Sequence, residues 1–145
     1  MSRIRGTKTK PEIALRRGLH AAGLRYRLHV RVLPGTPDIV LPKYRAVIQV
    51  NGCFWHGHRC ALFKMPETRQ PFWAAKIAAN AARDVRTTQA LHDLGWRVLV
   101  VWECALKGPA RQPLADVVAK AKAFVTGERL DQCIPSRVAA RPVRP

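Results

Sequence analysis

The chain has 145 residues, 48% of them apolar, enough for one domain with a core of its own and too few for two. Its 26 lysines and arginines against 9 acids give a formal charge of +17, so the chain repels itself and calls for a polyanionic partner, most simply nucleic acid. It holds no apolar run of about 18 residues to cross a membrane. The opening Met1-Ser2-Arg3-Ile4-Arg5-Gly6 has no apolar signal core, so a cytoplasmic location without a membrane step is expected. Four cysteines outside a secretory context read as metal ligands or free thiols before disulfides.

Along the chain, Thr9-Lys10-Pro11-Glu12 reads as a capping box, with Thr9 as N-cap and Glu12 at N3, opening a helix over 10–22 that Gly23 stops. Leu24, Tyr26, Leu28 and Val30 then alternate with Arg25, Arg27, His29 and Arg31, the period of a half-buried strand with a basic outer face. Pro34-Gly35-Thr36-Pro37 turns the chain into a short strand over 38–41, and Pro42-Lys43 turns it again before an apolar strand over 46–50. The stretch 51–71 has no clean period. A helix over 72–94 closes on Gly95 at C′. Residues 96–102 form an apolar strand suited to a central, parallel position, and a last helix covers 114–125. The expected fold class is a mixed α/β sandwich: a meander whose third strand pairs with the strand reached through a helical crossover. Residues 1–130 make a single domain, and 131–145 read as a mobile, Pro- and Arg-rich tail.

Four groups of residues carry chemistry. Asp38, behind Pro37, stands at the start of one strand, and Gln49-Val50-Asn51 stand on the next; such groups can converge on Mg²⁺, one of whose waters can attack a phosphodiester. The pattern resembles the PD-(D/E)xK nuclease core, with Gln49 in place of the second acid and Asn51 in place of the lysine. The plainer reading of Asp38 is a turn cap. Cys53, His56, His58 and Cys60 crowd into eight residues, and Cys104 follows the strand that ends at Trp102. If that strand lies parallel to 46–50, Cys53, His58, Cys60 and Cys104 make a closed Cys₃His zinc site and leave His56 for chemistry; the alternative is buried, inert thiols. Phe54 and Trp55 are either core rings or wedges between base steps, and Phe72-Trp73 are core on one side and DNA-facing on the other. Asp84 shares a helix face with Ile77, Thr88 and Leu91, so it needs a partner, either a histidine or Arg83, Arg86 or a sheet arginine.

Taken together, several segments resemble the very-short-patch-repair (Vsr) DNA mismatch endonucleases over about residues 1–108. They are Leu33-Pro34-Gly35-Thr36-Pro37-Asp38, the run from Val50 to Cys60, and Phe72-Trp73 with Lys76-Ile77, Asn80 and Arg83-Asp84. Gly95-Trp96-Arg97-Val98-Leu99 and Val101-Trp102-Glu103-Cys104 complete the set. The resemblance implies a PD-(D/E)xK-related fold, a structural zinc, and Mg²⁺-dependent nicking of duplex DNA 5′ of the thymine in a T·G mismatch. It implies Asp38 and the Val50 carbonyl as Mg²⁺ ligands, His56 as the group that activates water, Asp84 as the aspartate behind a histidine, and Glu12 as an acid near the metal. Cys53, His58, Cys60 and Cys104 match the zinc ligands, Phe54 and Trp55 the intercalating aromatics, and Met1 a further wedge. Asn51 stands where the family pattern has a histidine, which leaves Asp84 to fix Asn51 or an arginine, and Val50 replaces a threonine. Arg3, Arg5, Lys8, Lys10, Arg25, Arg27 and Arg31 are expected to hold the DNA backbone, with Trp73 facing the duplex. Mismatch-repair proteins are possible partners. The rival readings are a zinc-braced basic DNA-binding module without catalysis and a nickase without mismatch preference.

Overall fold

Successive side chains of a strand leave on opposite faces, and the central strands of this chain are apolar at both parities. In the computed structural model, which describes residues 10–136, both parities are buried. The chain runs through helix α1 (Lys10–Ala21), strands β1 (Arg27–Leu28), β2 (Ile39–Leu41) and β3 (Ala46–Asn51), and helix α2 (Gln70–Asp93). Strand β4 (Arg97–Trp102), helix α3 (Leu114–Thr126) and strand β5 (Asp131–Ile134) follow. The five strands form one sheet in chain order, antiparallel from β1 to β3 and parallel from β3 to β5. Ile39, Leu41, Ala46, Ile48, Leu99, Val101 and Ile134 point to one face and pack with Leu15 and Leu19 of α1 and Val117, Ala121, Phe124 and Val125 of α3. Val40, Val47 and Val98 point the other way, onto Leu91 near the end of α2 and onto Trp96. Each fully buried Leu, Ile, Val or Phe contributes about 1.5–3 kcal/mol, so this two-faced sheet is the main source of stability.

Thr9 of the predicted capping box, the expected DNA contacts of Met1, Arg3, Arg5 and Lys8, and residues 137–145 of the predicted tail lie outside the described residues. Both α1 and α2 end where a glycine can turn left-handed. At Gly95 (φ +91°) the N–H donates to His92 O, and the Arg45 guanidinium donates to Leu94 O at 2.7 Å. A Cβ at Gly95 would lie 3.0 Å from that guanidinium, so the cap and the arginine share one space.

Two edge elements differ from expectation. The strand over 24–30 contracts to Arg27 and Leu28, both exposed, because the chain turns left-handed at His29 (φ +47°) and alternation stops there. Leu24 joins the core, but Leu28 does not. At the other edge, 131–134 are not tail but strand, paired parallel to β4 with Ile134 buried, so the domain continues past 130. Arg97 holds that edge: its guanidinium donates to the carbonyls of Phe124 and Val125 at 2.8 and 2.7 Å, Tyr44 at 2.9 Å and Arg129 at 3.3 Å. Asp131-Gln132-Cys133-Ile134 has one inward aliphatic residue, too little pattern to show in the sequence.

Candidate active site and metal centre

The parallel pair β3–β4 ends on Asn51 opposite Trp102, so both strands deliver the chain to the same sheet edge. Two residues beyond each partner stand Cys53 and Cys104, both buried. Residues 52–60 fold back on themselves: the N–H groups of His56, Gly57 and His58 donate to the carbonyls of Gly52, Phe54 and Cys53 at 3.3, 3.2 and 2.9 Å. Gly57 makes the turn possible, with φ at +69° and no room for a Cβ, which would lie 2.9 Å from Ile77 of α2. The fold-back brings in His58 and Cys60. The ligand atoms of Cys53, His58, Cys60 and Cys104 all lie within 4.8 Å of one another, and Cys104 Sγ is 3.6 Å from His58 Nδ1. Tetrahedral bonds of about 2.3 Å to sulfur and 2.0–2.1 Å to nitrogen place S and N about 3.6 Å apart, so spacing and donor set both fit Zn²⁺. Trp102 stacks on the His58 ring at 4.2 Å, and Glu103 Oε1 accepts the Cys53 N–H at 3.4 Å. Burial pushes the Cys53 and Cys104 thiols up, Cys104 to about 11 with help from the neighbouring Cys60, and burial lowers His58. A soft dication is the charge that lets such thiols ionise together.

A second group gathers where α1 meets the start of β2. Asp38 Oδ2 accepts the Val50 N–H at 2.7 Å, which fixes the carboxylate and leaves Oδ1 on the side of His29, 3.8 Å from Nε2. His29 Nε2 is 3.0 Å from Glu12 Oε2, and Arg16 reaches the same oxygen at 3.3 Å. Glu12 is 1% exposed, the only charged residue so deeply buried among those described. Burial, helped by the nearby Glu12 charge, pushes the Asp38 carboxyl up to about 6 against the opposing Val50 hydrogen bond. A residue's N–H and C=O lean toward the same neighbouring strand, so the Val50 carbonyl leans with its N–H toward Asp38. Two carboxylates and a carbonyl are the donor set of a hard dication, and they fit Mg²⁺.

Asp84 is half-exposed on α2, and its partner is not Asn51 or an arginine. It accepts a hydrogen bond from His56 Nδ1 at 2.5 Å. The turn at Gly57, packed on Ile77, carries His56 to Asp84 of α2, a placement that the spacing of 56 and 84 does not encode. With Nδ1–H donated to Asp84, Nε2 is the nitrogen left to accept a proton. His56 lies on the loop that directly follows β3, the strand whose Val50 N–H is bonded to Asp38, so the imidazole and the carboxylate stand at the same end of the sheet. Asn51 is half-buried at the end of β3.

The aromatics form a shelf beside it. Phe54 packs against Trp55, Phe63 and Trp73 at centroid distances of 5.1, 5.8 and 5.7 Å, while Trp55 is 48% exposed. Phe54 is thus the ring that holds the shelf, and Trp55 the ring that faces solvent. Phe72 is exposed, edge-on to Trp73, with the Arg69 guanidinium over its face at 4.3 Å. Asn80 Nδ2 donates to Trp55 O at 2.9 Å, and Asn80 Oδ1 accepts from the Arg83 guanidinium at 3.1 Å, which ties the shelf to α2.

The structure therefore brings together Glu12 with Asp38, His56 with Asp84, and the three cysteines with His58. Sequence reasoning gave no role to four contributors, His29, Phe63, Trp102 and Glu103. Alternation places His29 outward, and nothing in the residues signals the left-handed turn that reverses it. Phe63 sits in a stretch without period. Trp102 and Glu103 precede Cys104 directly, and that adjacency was the available signal.

Comparison with known proteins adds an independent line. Residues 1–62 match the family described as DNA mismatch endonuclease Vsr. The chain is 53% identical over 106 residues to the type II nicking enzyme V.XorIIP of Xanthomonas oryzae, covering 73% of this chain and 78% of the relative. It is 48% identical over 112 residues to the DNA mismatch endonuclease Vsr of Escherichia coli, covering 76% and 70%. To the type II nicking enzyme V.NmeAIP of Neisseria meningitidis it is 43% identical over 110 residues, covering 76% and 79%.

Proposed function

Given that the chain belongs to the Vsr DNA mismatch endonuclease family, we propose that it nicks one strand of duplex DNA 5′ of the thymine in a T·G mismatch by Mg²⁺-dependent hydrolysis. The observation that carries this reading is the His56–Asp84 pair, with His56 on the loop that directly follows β3, the strand whose Val50 N–H fixes Asp38. Asp38, the Val50 carbonyl and Glu12 would hold Mg²⁺, which when bound polarises the scissile phosphate and makes water a better nucleophile. His56 takes the proton of the attacking water at Nε2, and Asp84 keeps its ring in that tautomer. Asn51 exchanges no proton near neutral pH and orients a phosphate oxygen or water by hydrogen bonding. Cys53, His58, Cys60 and Cys104 would hold Zn²⁺ and brace the turn that presents His56 and the shelf. Trp55, backed by Phe54 and Trp73, enters the weakened stack at the mismatch with Met1 as a further wedge, while Arg3, Arg5 and Lys8 hold the backbone. Action in the cytoplasm, with the nick passed to mismatch-repair proteins, follows from this role. Among the described residues no helix is long and apolar enough to cross a membrane.

Two of the relatives are named type II nicking enzymes, which favours a nickase without mismatch preference as the second reading. The test is nicking of end-labelled duplexes, T·G beside T·A, with Mg²⁺. Wild type is expected to cut the T·G duplex alone, and Asp38→Ala to cut neither. Equal cutting of both duplexes selects the second reading, and binding without cutting selects the DNA-binding module.

A further inference from the structure

One group in the Asp38 recess has no part in the mechanism above. His29 Nε2 is shielded from solvent and in no aligned hydrogen bond, yet it lies 3.0 Å from Glu12 Oε2 and 3.8 Å from Asp38 Oδ1. We propose that His29 is a third protein ligand of the cation at Asp38, and that the resulting site of two carboxylates and one imidazole binds a first-row transition dication, Mn²⁺ among them, more tightly than Mg²⁺. The proposal rests on the functional reading only in taking that cation to be the one the nuclease uses.

Three features support it. The ligand atoms of Glu12, His29 and Asp38 all lie within 4.8 Å of one another. Octahedral ligands at about 2.1 Å from an ion are about 3.0 Å apart when adjacent and about 4.2 Å when opposite, the range observed here. The backbone also presents the ring deliberately: His29 adopts φ +47°, unusual outside glycine, and its N–H donates to the Asp38 carbonyl at 3.1 Å. His29 and Asp38 therefore stand at the two ends of the β1–β2 connection, tied to each other by this backbone hydrogen bond. The ligand types then set the preference. Mg²⁺ takes oxygen donors and keeps its waters, whereas an imidazole nitrogen favours transition ions. The cationic group facing the recess is Arg16, which shares the Glu12 oxygen at 3.3 Å and which a bound dication displaces or tolerates.

Pulsed electron paramagnetic resonance on the zinc-loaded protein with one equivalent of Mn²⁺ tests this directly, because a coordinated imidazole imprints a nitrogen hyperfine coupling on the ion. Wild type is expected to show that coupling, and isotopic labelling of histidine nitrogens to alter it, with no substitution needed. His29→Gln, and His29→Asn, which tolerates the left-handed backbone better, are expected to lose the coupling and to weaken Mn²⁺ binding by about tenfold or more, at least what an outer-shell partner is worth. Their Mg²⁺ affinity, measured by competition, changes far less. Mn²⁺ bound without nitrogen coupling in wild type, coupling kept in both variants, or no Mn²⁺ bound at all would overturn the proposal. The two readings fail separately: intact coupling with no cutting of any duplex ends the nuclease reading and leaves the ligand, while cutting without coupling does the reverse.

Discussion

His56 and Asp84 act as one unit, and this fixes what each removal costs. A positioned general base contributes about 10²–10⁴ in rate, so His56→Ala is expected to slow single-turnover nicking of a saturating T·G duplex by that order. Asp84 touches the reaction only through the imidazole, to which it is bonded at Nδ1. Asp84→Ala is therefore expected to cost less than His56→Ala and to cost nothing further when His56 is already alanine. Losses that add in the double variant would detach Asp84 from His56. At this scale the sequence was legible wherever residue type and spacing sufficed: Asp38 behind a proline, and the cysteines and histidines packed between 53 and 60. It was illegible wherever a dihedral decides. His29 turns inward through its own positive φ, and His56 reaches Asp84 through the positive φ of Gly57.

Periodicity set the long elements of the fold, and α1, β2, β3, α2, β4 and α3 fall within one or two residues of the expected bounds. The shortness of β1 and the presence of β5 escaped because an edge strand of two or four residues need not alternate and borrows its order from the neighbour it pairs with. The loop after β3 has no period because it folds back on its own backbone hydrogen bonds around the Cys53, His58, Cys60 and Cys104 cluster. Its ligand set shares only β-strand ends with the sheet core of Ile48, Leu99 and Val101. Freshly folded protein is thus expected to carry about one zinc per chain by elemental analysis. Stripping the ion with a chelator, or Cys60→Ser, is expected to abolish the near-ultraviolet dichroism of Trp55, Trp73 and Trp102 while far-ultraviolet dichroism of the sheet and helices persists. Protein free of zinc with an unchanged aromatic signal would remove the metal from the account of this loop.

Across the whole molecule, nearly half of the acids gather at the candidate site. Four of the nine, Glu12, Asp38, Asp84 and Glu103, stand in the site or beside its ligands, so the remaining surface is more uniformly cationic than the net charge of +17 conveys. Such a surface binds a duplex largely by releasing its counterions. If about 6–10 phosphates are neutralised, affinity falls by roughly 10³–10⁵ between 50 and 200 mM salt. Measured with Asp38→Ala to prevent cutting, affinity is expected to decline linearly on logarithmic axes with that steepness, for matched and mismatched duplexes alike. A flat dependence would refute a binding mode dominated by phosphates.

The parallel pairing of β3 with β4 has one more consequence. Both strands are aliphatic on both faces, Val47 beside Ile48 and Val98 beside Leu99. A slip of one residue would exchange the faces and still bury aliphatic side chains, so hydrophobicity alone discriminates weakly between alignments. Cys53 and Cys104 do not tolerate the slip, since each lies two residues beyond the matched partners Asn51 and Trp102. Sliding β4 by one position would carry Cys104 about 3.3 Å away and turn it to the other side, leaving three ligands where four now meet. The cluster thus works as a gauge of strand alignment: all four ligands meet only in the observed register of β3 on β4.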